Sequence, residues 1–191
     1  MTFDSKTKQV ISRLCSRAKP LAGTFFRSTE YRYMDAASLL GGHGTELYGG
    51  RFVPIGLRAV YFSASDAAAS QEVTARKKRL GGDSQISLDK YPRIVYAVDV
   101  RIERCVALLR KQRSPLLERL RRAALLTGNL VPSQELGMAL YNEHVEGILF
   151  PSVVGVGTNL AVFVDYCKPD TFRVVNENEL KKKLQEVVRR R

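Results

Sequence analysis

Only two histidines, His43 and His144, occur in the 191-residue chain, and neither has a spacing that would pair it with a nucleophile or a second metal ligand. The HExxH, CxxC and GxSxG motifs and the Walker phosphate loop are absent, so metalloprotease, esterase and nucleoside-triphosphatase chemistry is not indicated. What remains favours a reaction that needs little proton transfer. The side chains able to serve it are Arg27, Arg51, Tyr61, Glu72, Ser152 and Asn159, each beside a glycine-containing loop or at the edge of an expected element, where a scaffold presents binding groups. Residues 41–72, GGHGTELYGGRFVPIGLRAVYFSASDAAASQE, gather Gly41, Gly42, Gly44, Gly49, Gly50 and Gly56 around Arg51. Such a loop lets the backbone approach a ligand closely at an entropic cost that a purely structural turn seldom carries. This stretch reads as a small-molecule site.

Each candidate also has a structural reading. Arg51 either caps a turn or binds a ligand, and its glycine neighbours favour the ligand. Glu72 lies four residues before Arg76, and an i,i+4 helix pair worth ~0.3–0.5 kcal/mol would account for it locally. Ser152 after Pro151 suits a turn, Tyr61 suits a core strand and Asn159 suits a loop. His43, between glycines, reads as a loop residue, and His144 as a partner of a helix C-terminal dipole.

The elements that must position these groups follow from periodicity. Residues 5–18 are apolar at helical spacing before Pro20, residues 24–28 read as a short strand delivering Arg27, and residues 59–62 read as a buried strand. A helix capped by Ser63, Ser65 or Asp66 carries Glu72 toward residue 80. Residues 94–100 form the best strand pattern in the chain. Helices follow over 115–126, entered through Ser114-Pro115, and over 134–145 behind Ser133. Strands at 148–150, 160–166 and 171–175 and a basic helix over 179–190 complete the pattern. Strands and helices mix without regular alternation, which predicts an α+β fold. The expected division is an N-terminal amphipathic helix over 1–20, a main body over 21–175 and a basic C-terminal helix over 176–191, all within one domain.

Composition limits the partners. The formal net charge is +12, and residues 1–20, 76–79, 101–122 and 173–191 together carry +18, which leaves the rest of the chain, the glycine-rich stretch included, at −6. The basic excess therefore lies outside the candidate site. It suits anionic ligands, nucleic acid, an acidic partner or plain solubility. A nucleic-acid-binding module without catalysis is the rival class, but aromatics are not interleaved with the basic runs. No apolar run approaches the ~20 residues of a membrane span, and the N-terminal segment has no signal-peptide core. Cys15, Cys105 and Cys167 are too few and too scattered for a disulfide framework or a zinc site. A cytoplasmic protein with no metal and no membrane association is expected.

The succession FFRS, GGRF followed by AVYFS, a helix bearing AxxQE, then EGILFPS and GTNLAVF resembles the RES domain, named for its arginine, glutamate and serine. The four pieces come in order over residues 24–166; each alone is weak. The resemblance implies an ADP-ribosyltransferase-like fold with central β-sheets and flanking helices. It also implies a bacterial toxin of a toxin–antitoxin pair that consumes NAD+ as substrate, by phosphorolysis, by hydrolysis or by ADP-ribosylating a protein. It assigns Arg51, Glu72 and Ser152 as the named catalytic triplet and Arg27, Tyr61, Asn159 and Gly50 to NAD+ binding. No cofactor beyond NAD+ is implied, with inorganic phosphate as a co-substrate in the phosphorylase case. The implied partner is a helix-turn-helix antitoxin, and a homodimer is a further option for the basic faces. Phe52 stands where the family usually has tryptophan.

The physical reading beside the resemblance is consistent with it. Cleaving a nicotinamide–ribose bond expels a neutral group through an oxocarbenium-like state, so no general acid is required. Arginines hold diphosphate in bidentate geometry, a carboxylate stabilises charge growing at the anomeric carbon, and tyrosine, serine and asparagine orient the ligand.

Overall fold

The computed structural model describes residues 5–30, 39–71, 93–108, 115–122, 129–152, 157–179 and 182. Its elements are α1 (Ser5–Cys15), β1 (Lys19–Glu30), α2 (His43–Tyr48), β2 (Ala59–Ser63), β3 (Arg93–Ala107), α3 (Pro115–Arg122), α4 (Val131–Asn142), β4 (Gly147–Pro151), β5 (Thr158–Phe163) and β6 (Phe172–Val174). One sheet of six strands, flanked by helices, makes a single mixed α+β domain.

The sheet curls until it meets itself. β1 and β3 form a long antiparallel ribbon from Glu30↔Arg93 to Lys19↔Cys105. The far end of β3 pairs with β4 in parallel, at Cys105↔Gly147 through Ala107↔Leu149. β4, β5 and β2 then pair antiparallel, and β2 returns to β1 at Phe26↔Ser63. The result is a five-stranded ring, with β6 on the outer edge of β3 at Val98↔Val174. Closure suits the burial pattern: Leu160, Ala161, Val162 and Phe163 of β5 are all fully buried, as expected of a strand covered on both faces.

Alternation along β2 and β5 divides the core in two. Val60, Phe62, Leu160 and Val162 face inward, where they pack with Phe25, Tyr96, Val98, Val100 and Ile102 of the ribbon. Ala59, Ala161 and Phe163 face outward with Ile148 and Phe150, under Ile11, Leu14 and Cys15 of α1 and Leu136 and Leu140 of α4. The spacing of 11, 14 and 15, and of 136 and 140, places one apolar face of each helix on the sheet. No helix among the described residues is long and apolar enough to cross a membrane.

Several boundaries differ from the sequence expectation. β1 starts at Lys19, with Pro20 inside its first residues rather than acting only as a helix stop. β3 runs to Ala107 instead of ending at Val100: Arg101 and Glu103 are exposed while Ile102 and Cys105 are buried in one cluster, brought to the same face by a register shift opposite Lys19–Leu21. The glycine-rich stretch contains a short helix, α2, between Gly42 and Gly49, both at positive φ. Thr45 fixes that helix to β2: its Oγ1 accepts the Ala59 amide at 2.7 Å and donates to the Ala59 carbonyl at 2.9 Å. α4 begins at Val131, whose amide binds Asn129 Oδ1 at 3.0 Å, and Ser133 is buried inside the helix rather than capping it. β5 ends at Phe163 and passes into a 3-10 turn, Val164–Tyr166. Ser65 caps residues 66–71 through the Ala68 amide at 3.1 Å. The expected remainder of that helix, with Glu72, the extension of α3 beyond Arg122 and most of the basic C-terminal helix lie outside the described residues.

Candidate functional site

The candidate residues gather where β2 ends at Ser63 and β5 begins. Phe52, Tyr61 and Phe150 supply an aromatic floor: the Phe52 and Phe150 rings meet edge to face at 4.8 Å and Tyr61 and Phe150 at 6.3 Å. Above it Arg51 places its Cζ 5.4 Å from the Phe150 ring centroid, within cation–π range. Phe150 shares the outward parity of Ile148, so the short strand that follows the buried Gly147 supplies the platform under the arginine.

Arg51 rides on a turn held at several points. The Gly50 amide donates to the Val53 carbonyl at 2.8 Å. Tyr61 hydroxyl accepts the Phe52 amide at 2.9 Å. Gln134 of α4 donates through Nε2 to the carbonyls of Gly50 at 3.0 Å and Val53 at 3.2 Å. Two glycines make this closeness feasible: a Cβ on Gly50 would fall 2.7 Å from the Tyr61 hydroxyl, and one on Gly137 would fall 1.7 Å from the Phe52 carbonyl oxygen. Side chains at either position would push the turn away.

Asn159 lies in register between Ser63 of β2 and Phe150 of β4. Ser152 follows β4 directly, and its amide donates to the Gly157 carbonyl at 3.0 Å. Ser63, Ser152 and Asn159 are all buried. A cluster of buried polar side chains at one end of a hydrophobic sheet must be satisfied locally or by a ligand.

Arg27 approaches from the other side of β2. It shares the inward parity of Phe25 and lies opposite Tyr96 in the β1–β3 ribbon. Its Nη1 donates to the Tyr61 carbonyl at 3.1 Å, while Nε is buried with no hydrogen-bond partner among the described residues. Burial lowers the pKa of this guanidinium, opposed by the neighbouring Tyr96 hydroxyl. Burial pushes Tyr96 up to about 12, so it stays neutral, and its hydroxyl donates to the Leu39 carbonyl at 3.4 Å. A cation held in low dielectric beside a neutral phenol is a costly arrangement that an incoming anion would relieve.

The structure thus brings Arg51, Gly50, Tyr61, Ser152 and Asn159 to one end of β2–β5–β4. It places Arg27 on the opposite face of β2, joined to the rest through Tyr61. Glu72 lies outside the described residues. The sequence reading did not single out Phe150, Gln134, Gly137, Tyr96 or Ser63. Phe150 could have been found from its parity with Ile148; the role of Gln134 depends on how α4 docks, which no local signal carries. Among the described residues no cluster of histidine, cysteine or carboxylate side chains could hold a metal ion. All three cysteines are free, with Cys15 and Cys105 buried.

A curled α+β sheet with an arginine turn beside a buried polar cluster defines the class of fold. Within that class, the RES domain model matches residues 24–185, and the chain belongs to the RES domain family. A chain of the crystal structure of the M. tuberculosis MbcT–MbcA toxin–antitoxin complex has a similar fold, with a TM-score of 0.70 and 20% identity over 93% of this chain and 97% of that one. Among curated proteins none matches this sequence.

Proposed function

We propose that this protein consumes NAD+ by cleaving its nicotinamide–ribose bond, and that it is the toxic half of a toxin–antitoxin pair. The observation that carries the reading is the Arg51 turn on its aromatic floor beside buried Ser152 and Asn159, within a chain of the RES family. Arg51, with Gly50, holds the diphosphate, which a guanidinium suits bidentately; Arg27, a buried cation on the opposite face of β2, supports the site through its hydrogen bond to the Tyr61 carbonyl. Glu72 stabilises positive charge growing on the ribose. Ser152 and Asn159 orient ribose or carboxamide, and Tyr61 supports the ribose end. The C–N bond breaks with its electron pair going to the nicotinamide nitrogen, which leaves uncharged. An oxygen of water or inorganic phosphate bonds to the anomeric carbon, and any proton it carries passes to solvent. The likeness to a chain of a toxin–antitoxin complex supports a protein antitoxin as partner, of the helix-turn-helix kind the family implies.

Products distinguish the chemistries. Purified protein incubated with NAD+ and phosphate is expected to yield nicotinamide and ADP-ribose phosphorylated at the anomeric carbon. Plain ADP-ribose, formed equally without phosphate, would assign hydrolysis, and label moving from NAD+ into protein would assign ADP-ribosyl transfer. An intact NAD+ pool over folded protein would overturn the proposal.

A further inference from the structure

The turn that carries Arg51 is fixed from two elements that contribute no charge to the site. Gln134 extends from the first turns of α4 and gives both Nε2 hydrogens to the turn, one to the carbonyl of Gly50 and one to that of Val53. The assignment of nitrogen over oxygen is set by chemistry, since an amide oxygen facing two carbonyls would be repelled by both. Tyr61 reaches up from β2 and accepts the amide of Phe52. The turn closes without either, through Gly50 N to Val53 O at 2.8 Å. What Gln134 and Tyr61 add is therefore orientation. They pin the residues on both sides of Arg51 against Gly137 and the Tyr61 ring, where no space is left for the turn to rock.

We propose that Gln134, with Tyr61, is a positioning residue for Arg51: it holds the turn so that the guanidinium stands over Phe150, ready for the diphosphate, before the ligand arrives. This rests on the NAD+ reading above. It gives Tyr61 a role through its hydroxyl and Arg51, beside the ribose contact of its ring proposed above. A preformed clamp contributes equally to ground state and transition state, so its loss raises KM and leaves kcat nearly unchanged.

The test is a coupling measurement. Gln134→Met keeps the volume and removes both donors; NAD+ affinity by titration calorimetry is expected to weaken about 10- to 30-fold, with a matching rise in KM and kcat within about 3-fold. In an Arg51→Ala background the same substitution is expected to change affinity by less than about 2-fold, because the group it positions is gone. Tyr61→Phe reads the same coupling from β2, should the methionine variant fold poorly. Equal losses in both backgrounds, or wild-type affinity in Gln134→Met with only a lower thermal midpoint, would overturn the inference. No NAD+ binding by the wild type, seen in the first titration, would overturn the NAD+ reading and this inference together.

Discussion

Where Ala59 of β2 faces Phe163 of β5, the strand pair ends in matched charges. Arg58 Nη2 meets Asp165 Oδ1 at 2.6 Å, Tyr141 hydroxyl donates to Asp165 Oδ2 at 3.1 Å, and Tyr166 hydroxyl donates to the Tyr141 carbonyl at 2.7 Å. His144, at a left-handed φ of 57° just beyond α4, stacks near Tyr166 at 5.5 Å. Where Ser63 faces Asn159 at the other end, arginines meet aromatic rings and main-chain carbonyls, and burial lowers the pKa of Arg27. One end answers its cation with a carboxylate and ties α4 to β5. At the other, among the described residues, Arg51 lies over the Phe150 ring and Arg27 bonds the Tyr61 carbonyl, the end where the proposed site lies. Substitutions at the first end should therefore cost stability and spare turnover, and those at the second should do the reverse.

The harshest way to break this contrast is to disturb the contact both properties share. Gly137→Val would drive a side chain into the Phe52 carbonyl, which a Cβ alone approaches to 1.7 Å. Overpacking of this kind costs ~1–3 kcal/mol or more, so thermal unfolding should shift down by several degrees and turnover should vanish. Arg51→Ala is expected to cut kcat/KM for NAD+ by about 100-fold or more with the thermal midpoint nearly unchanged, since the turn keeps its own hydrogen bonds. A large midpoint drop in that variant would mark Arg51 as structural. Arg27→Met sharpens the comparison further. Replacing a buried cation by an apolar chain removes its desolvation cost, so kinetics should show turnover falling by about 30-fold while calorimetry shows stability unchanged or higher.

Much of the fold was legible in the sequence because burial follows periodicity. The continuous apolar run of β5 and the i,i+4 pattern of α4 each point to their place. The second half of β3 was missed because Arg101, Glu103 and Arg104 dilute its apolar signal, and the register shift opposite Lys19–Leu21 breaks the alternation between Ile102 and Cys105. α2 was hidden inside glycines that mark its ends. At the site, Arg51 stood out by its glycine neighbours and Arg27 by its strand. Gln134 acts through the docking of α4, a tertiary contact that leaves no local trace, whereas Phe150 shares the parity of Ile148 and was legible from it. Tyr61 was identified, but its hydroxyl is engaged by the Phe52 amide, a partner only nine residues away that no spacing rule would suggest.

Smaller effects separate the enclosed core from the surface. Burial raises Cys105 from 9.0 to about 11 and Tyr96 from 10.0 to about 12. Both folded values exceed the unfolded ones, so folding favours the protonated forms. Their contribution is complete below pH 9 and is lost as pH rises through 11 and 12. Thermal midpoints measured from pH 8 to 12 should fall across that window, and Cys105→Ala should flatten its lower part; a midpoint constant to pH 11 would contradict the sealed core. At the charged end, Arg58→Ala should lower the midpoint by only about 1–2 °C, because the pair is partly exposed, and NAD+ turnover should match the wild type.

The central claim is that the glycine-flanked arginine turn binds NAD+ for cleavage at the nicotinamide bond. Nicotinamide release, followed by chromatography with wild type and Arg51→Ala at equal folded concentration, tests it most directly. At NAD+ concentrations below KM the wild type should release nicotinamide steadily and the variant almost none. Absence of release from folded wild type, or equal release from both, would contradict the account.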